Sequence, residues 1–289
     1  MLKQILLWFL AILLAISAMI YQRSTGPTYE FRGKLKYAGE DYKYELLRSQ
    51  ETTEGAIIEL PFIEAANYNA TLHYKRYQTN DTLTSLNFQL NEDNSFIAQL
   101  PVQPAAGKME YYITGTLDGN EFYIPAKGEQ SIVLRYKDPV ANSILIPHVV
   151  MMIIVVIFGI RAGLSALFDY KTMRRWVVVA FSSMTVGGLI FGPLVQKSAF
   201  GEYWTGFPLG SDFTDNKILI MWIVWALALA IIGFKPKKKE KVSKTTVIIA
   251  AVVMMVVYLI PHSMGGSTLD YDKVDRGIDP KEAIKTGAE

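Results

Sequence analysis

The chain predicts a multi-pass α-helical membrane protein of about five spans with an inserted all-β domain, and three observations carry that prediction. Of its 289 residues 51% are hydrophobic, and the mean hydropathy is positive at +0.20. Five apolar segments approach the ~17–25 residues that a membrane helix needs. Between the first and second lies a long polar stretch in which apolar residues alternate instead of recurring at helical spacing.

The apolar segments run approximately from Leu2 to Tyr21, Ser143 to Ile160, Trp176 to Val195, Ile218 to Phe234 and Thr245 to His262. They divide the chain into an N-terminal anchor (1–24), an extracytoplasmic β-sandwich (25–138), a four-helix membrane domain (139–263) and an extracytoplasmic tail (264–289). The first segment reads either as an uncleaved anchor or as a signal peptide, because Lys3 precedes an apolar core from Ile5 to Ile20 with small residues at Ala15 and Ser17. The length of that core favours the anchor. The tail, with Asp279-Pro280 placed to start a short helix, is expected to be flexible or docked on a partner.

Orientation follows from the lysines and arginines of the short loops. Arg161, Lys171, Arg174 and Arg175 follow the second segment, and Lys235, Lys237, Lys238, Lys239, Lys241 and Lys244 follow the fourth. Both loops are expected inside. A nucleic-acid role for the lysine cluster is rejected, since topology alone demands positive charge there. The loop between the third and fourth segments mixes Lys197 and Lys217 with Glu202, Asp212 and Asp215, and belongs outside. By parity the N-terminus is cytoplasmic, the β domain and C-terminus are extracytoplasmic, and the expected location is a bacterial inner membrane.

In the exported region Ala70, Leu72 and Tyr74 alternate with Thr71, His73 and Lys75, as a half-buried strand requires. Further short runs are Ala56–Leu60, Thr84–Leu90, Ser95–Leu100, Met109–Thr116, Glu121–Ile124 and Ser131–Tyr136, with the turn pair Asp118-Gly119 between two of them. Seven to nine such strands argue a β-sandwich. The stretch from Ala98 to Pro125 resembles the late strands of fibronectin type III and immunoglobulin-like domains, which implies fold and not chemistry.

The chain has no cysteine. Disulfides, thiolate nucleophiles, cysteine-ligated clusters and heme attached through the chain's own Cys-x-x-Cys-His are therefore excluded. Chemistry falls to the histidines, of which there are three. Two of them close a repeated tetrapeptide, Leu145-Ile146-Pro147-His148 and Leu259-Ile260-Pro261-His262. With the topology above, the second span enters from outside just before His148 and the fifth span exits outwards at His262. Both imidazoles are then expected near the outer face, either as snorkelling helix punctuation or as a ligand pair. The third, His73, is expected on a solvated strand surface.

The outward loop between the two histidines reads from Phe200 through Tyr203, Trp204, Phe207, Asp212 and Asp215 to Lys217, and the next span opens with Leu219, Ile220 and Trp222. This order resembles the tryptophan-rich heme-handling proteins of cytochrome c biogenesis, in which an aromatic outward loop is flanked by two outward-facing histidines. Gly201, Tyr203, Trp204, Leu219, Ile220 and Trp222 fall on loop and span positions of that pattern. Phe200 departs from an expected tryptophan, and Gly206-Phe207-Pro208 replaces a Trp-Asp pair. The resemblance implies heme b, ligated at iron by His148 and His262 and walled by Tyr203, Trp204 and Trp222. Two neutral imidazoles and flat apolar walls suit that cofactor physically. Copper or zinc is the weaker alternative, with Glu202, Asp212 or Asp215 completing a shell. Ser211, Thr214 or Asp215 is expected to cap the following helix, with the carboxylates of Asp212 and Asp215 favouring its positive end; the sharper role for the two acids is proton relay at the outer interface.

Two functional classes follow. One is a redox or heme-handling subunit that passes electrons to an exported c-type cytochrome or holds heme for cytochrome c maturation. The other is a non-enzymatic scaffold or accessory subunit that presents the β domain to a larger membrane complex. In both, the lipid bilayer is a partner and nucleic acid is not.

Overall fold

The computed structural model describes residues 1–65, 67–233, 240–261 and 266–285. It divides into a helical unit, Met1–Pro27 with Val140–Gly266, and a sheet unit, Thr28–Pro139 with Ser267–Lys285.

The helical unit contains α1 (Leu2–Thr25), α2 (Asn142–Phe168), α3 (Tyr170–Met184), α4 (Gly192–Phe200), α5 (Phe213–Ile232) and α6 (Glu240–Leu259). Helices α3 and α4 form one continuous run, joined by a π-helical stretch over Thr185–Phe191. Counted so, five helices among the described residues are long and apolar enough to cross a membrane. Small and branched side chains meet inside: Ala11 and Ala15 of α1, Val156 and Ile160 of α2, Val177 of α3, Trp225 of α5 and Ala250 of α6 share one core. In α1 the buried residues Leu7, Ala11, Ala15 and Ala18 recur at helical spacing and form a single inward stripe. A Cβ on Gly163 would lie 2.7 Å from that of Ala251, so glycine is what lets α2 and α6 close together. Large apolar side chains such as Phe9, Leu227 and Val256 point outwards and stay exposed, as lipid-facing residues do.

The sheet unit holds β1 (Phe31–Tyr37), β2 (Glu40–Leu46), β3 (Ser49–Glu51), β4 (Ile57–Leu60), β5 (Tyr68–Arg76), β6 (Thr84–Asn87), β7 (Gln89–Leu90), β8 (Phe96–Gln99), β9 (Lys108–Leu117), β10 (Asn120–Ile124) and β11 (Ile132–Lys137). The larger sheet runs β3-β11-β9-β5-β6, with β10 also paired to β9, and a second runs β4-β8-β7. Strand β3 is parallel to β11, and β9 is antiparallel to β5 along its whole length. Alternate residues turn inward: Leu72, Tyr111, Ile113 and Leu134 from the first sheet meet Ile58, Leu60, Phe96 and Ala98 from the second.

Each expected run of strand residues from Ala56 onward forms strand, with Thr84–Leu90 divided at Phe88 between β6 of the larger sheet and β7 of the second, and Asp118-Gly119 turns β9 into β10 with φ of +53° and +83°. The β1–β2 hairpin was not foreseen. Its turn is Ala38-Gly39, also with positive φ at both residues (+50° and +86°), and alanine at the first position carries none of the usual Asn or Asp signal.

The tail departs from expectation too. Residues 267–285 form β12 (Thr268–Leu269), α7 (Tyr271–Asp275) and β13 (Ile284–Lys285), packed on the chain's own sheet unit. The Leu269 amide donates to Ala106 O, and Arg135 Nη2 donates to Ser267 O at 3.0 Å. The Tyr271 ring is buried beneath the Arg76 guanidinium, 4.8 Å from its centroid, and its hydroxyl donates to Lys108 O at 3.0 Å. Arg76 grips Asp81 and Asp275 with paired hydrogen bonds of 2.6–2.9 Å. Those bonds hold both carboxyls below their ordinary range.

The tail should therefore resist proteolysis in the full-length protein, and Tyr271→Ala should release it at a cost of about 3 kcal/mol in sheet-unit stability. Carboxyls depressed by folding contribute stability above their unfolded value of about 4 and lose it as pH falls through the folded value. Pepsin cleavage within 267–285 should consequently rise only below about pH 4. A tail cut equally fast at pH 5 would contradict the clasp.

Candidate functional site

The α2 helix begins at Asn142, so Pro147 lies in its second turn. His148 follows it, half-buried, with its ring against the π-helical stretch. Its Nδ1 lies 2.9 Å from Gly187 O. Because that carbonyl can only accept, Nδ1 carries the proton, and the neutral ring presents Nε2 as a lone-pair donor. Nε2 makes no hydrogen bond among the described residues.

The π-helical stretch explains why the carbonyl is reachable. Gly187 O accepts its main-chain bond from Gly192, five residues on, which widens the helix and turns the carbonyl aside. A Cβ at Gly187 would come 2.6 Å from Met151 Cβ, so only glycine lets α2 approach here. Thr185 opens the stretch, donating from Oγ1 to Phe181 O and accepting from Trp222 Nε1 at 3.0 Å. His148, Gly187, Thr185 and Trp222 thus meet on one helical irregularity. The π geometry carries no sequence signal beyond the glycine pair Gly187-Gly188.

The loop from Gly201 to Asp212 is a separate, heavily buttressed structure. Asp215 is buried on α5, and its carboxylate accepts from the Thr205 amide at 2.6 Å, the Gly206 amide at 3.1 Å and the Thr205 hydroxyl at 3.2 Å. Asn216 Oδ1 takes the Phe207 amide at 2.7 Å, and Gln196 Nε2 donates to Thr205 Oγ1. Asp212 caps α5 by accepting from the Thr214 amide at 2.7 Å. Asp212 is therefore the N-cap, a place expected of Ser211, Thr214 or Asp215, and Asp215 holds the loop instead of the helix end. Trp204 donates to Phe207 O at 3.0 Å, inside the loop. Lys197 donates to Gly201 O and lies 5.3 Å from the Tyr203 ring centroid.

This framework holds apolar side chains out from the surface. Tyr203, Phe207, Leu209 and Phe213 are 55%, 68%, 72% and 52% exposed. One cation beneath the loop was missed in sequence. Lys217, buried on α5, donates to Ile260 O at 2.6 Å and Pro261 O at 3.3 Å, filling carbonyls where α6 has ended. A lysine one turn inside an apolar helix was the available signal. His262 lies outside the described residues, as do Lys235, Lys237, Lys238 and Lys239. Among the described residues no group of three or more His, Asp or Glu side chains could hold a metal ion.

His73 is half-buried and not simply solvated. Its ring bridges Ser85 Oγ at 2.8 Å and Thr114 Oγ1 at 2.9 Å and stacks on Tyr112, and burial lowers its pKa.

No protein-family model matches the chain, and no curated protein matches it in sequence.

Removing the Asp215 carboxylate strands three donors at once, two of them backbone amides in a buried setting. In Asp215→Ala, hydrogen exchange at the Thr205 and Gly206 amides should accelerate at least ~10-fold, about 1.4 kcal/mol of opening free energy. Unchanged protection would show that the loop is held by other means.

Proposed function

We propose that the helical unit binds heme b near the outer membrane face, with His148 and His262 as axial ligands. The protein would then act in electron transfer to an exported cytochrome or in heme handling for cytochrome c maturation. The observation that carries this reading is the state of His148. Its Nδ1 is fixed by Gly187 O, leaving Nε2 as a lone-pair donor with no partner among the described residues. A backbone carbonyl that sets the tautomer and ring angle of an imidazole is the usual support of a metal-ligating histidine. π-Helical turns are also frequent at functional sites.

The remaining donors fit heme better than a zinc or copper shell. Asp212 Oδ1 and Asp215 Oδ2 accept from α5 and loop backbone, whereas the exposed side chains of Tyr203, Phe207, Leu209 and Phe213 supply apolar and aromatic surface. Trp222 would act through Thr185, by holding the π-helical stretch, and Trp204 by stiffening the loop. When bound, heme supplies a one-electron couple or is itself the cargo.

Chain connectivity supports the shared side of the two histidines. Residues 28–139 and 267–285 belong to one folded unit. A folded unit occupies one compartment, so the end of α1, the start of α2 and the end of α6 face the same side. The loop basics then favour the β domain and C-terminus outside a bacterial inner membrane. The β3-β11-β9-β5-β6 order opposite β4-β8-β7, with β3 parallel to β11, supports an immunoglobulin-like sandwich as the exported domain. The ordering of Gly201, Tyr203, Trp204, Leu219, Ile220 and Trp222 keeps the resemblance to the heme-handling proteins of cytochrome c biogenesis.

A reduced-minus-oxidised spectrum of protein purified from a heme-replete host decides the matter. We expect a Soret band whose shift on reduction is lost in both His148→Ala and His262→Ala, each still folded. Absence of the band in the wild type would overturn the reading in favour of a scaffold. If heme is present, stopped-flow reduction by a quinol analogue separates electron transfer from heme handling.

A further inference from the structure

A second polar cluster lies within the helical unit, apart from His148 and the aromatic loop. Arg161 of α2 is wholly buried. It stands 19 residues beyond Asn142, roughly 28 Å along the helix from the His148 end, which sets it towards the opposite boundary of the bilayer. A buried guanidinium in an apolar bundle is costly unless its donors are satisfied. Arg161 Nη1 donates to Ser165 Oγ, and Nη2 donates to Gln4 Oε1 of α1 at 2.5 Å. Nε is buried without a partner among the described residues.

Gln4 is therefore the only link from α1 to this charge among the bonds described, and it uses both ends of its amide. Its Nε2 donates to Asp169 Oδ2 at 2.6 Å, the same oxygen that takes the Thr172 hydroxyl at 2.6 Å. The Thr172 and Gln4 bonds hold the Asp169 carboxyl below its ordinary range, so Asp169 stays anionic. The carboxamide thus separates a cation from an anion, accepting from one and donating to the other. One turn on, Trp8 packs edge-on against Phe158 of α2 (5.3 Å between centroids) and Trp176 of α3 (5.0 Å), and the Arg161 guanidinium lies 5.4 Å from the Trp8 ring centroid. The inward stripe of Leu7, Ala11, Ala15 and Ala18 continues the packing.

We propose that α1 is a permanent span of the helical unit, locked in place by Gln4 between Arg161 and Asp169 and by Trp8 beneath them, and is not a leader removed after export. Removal of α1 would strip Arg161 of its Gln4 acceptor and of one aromatic face, leaving a buried charge half-solvated in an apolar bundle. A leader has no need of such a fit. A sequence that keeps a wholly buried arginine opposite it makes the helix part of the fold.

Two measurements test this on the full-length protein, neither of which needs bound heme. The first is the intact mass of protein purified from membranes through a C-terminal tag and carrying an epitope ahead of Met1. A single species retaining the epitope is expected; a mature species starting after the Ala15–Ala18 region would overturn the proposal. The second is thermal unfolding in detergent of Gln4→Leu, Arg161→Met and the double variant. Gln4→Leu should lower Tm by at least ~4 °C, and adding Arg161→Met should restore at least half of the loss, because removing both partners abolishes the unpaired charge. Additive losses, or no loss in Gln4→Leu, would overturn the lock. If Gln4→Leu yields no folded protein while the double variant does, the coupling is shown in its strongest form.

Discussion

Inside a bilayer a main-chain carbonyl that leaves its helix has no water to accept from, and this helical unit is organised around that constraint. Wherever a helix ends or widens, a side-chain donor arrives. Lys217 meets Ile260 O and Pro261 O at the end of α6, Arg174 meets Ile232 O and Gly233 O at 3.0 and 2.7 Å at the end of α5, and His148 meets Gly187 O in the π-helical stretch. The opposite need, for acceptors at freed amides, is met by Asp212 at the start of α5 and by Asp215 beneath the loop. Each of these polar side chains answers a backbone group at the edge of an apolar helix. Several of these would pass for surface charge in a sequence.

That substitution of side chain for backbone also explains what was legible beforehand. The spans were readable because length and hydropathy alone fix them, and the strands from β4 onward because period-2 burial on one core leaves little choice. Asp118-Gly119 announced its turn, whereas Ala38-Gly39 hid an equivalent one behind a residue that does not favour positive φ. The roles of Lys217, Gln196 and Asn216 were not readable, since each answers a partner 9 to 44 residues away that only the folded chain brings close. The tail misled for a related reason. Its polar composition describes a surface segment, but Tyr271 and Leu269 are enough to bury one side of it once Arg76 supplies a counter-surface.

The two polar clusters of the helical unit answer different demands. Around His148 the irregular backbone comes first, and the imidazole both repairs it and is oriented by it. Around Arg161 the backbone is regular helix, so the charge is not there to mend a broken ladder. Its partners instead span three elements, with Gln4 and Trp8 from α1, Ser165 from α2 and Trp176 from α3; Thr172 in turn bonds Ser165, and Phe158 packs on both tryptophans. A cation placed so makes the contact between those helices specific, at a cost in stability that apolar side chains would not incur.

The same reasoning bears on how far the His148 geometry points towards a ligand. Had the imidazole served only to fill Gly187 O, a serine or threonine on α2 could do so with less bulk, as Thr185 does for Phe181 O within its own helix. A histidine fills the carbonyl with one nitrogen and turns a second, unprotonated one away from it on the far side of the ring. That second nitrogen is surplus to the backbone's needs. A half-buried lone pair that meets no donor among the described residues carries a desolvation cost. Under the proposed heme reading, iron at Nε2 would remove that cost, in a direction set by the bond to Gly187 O.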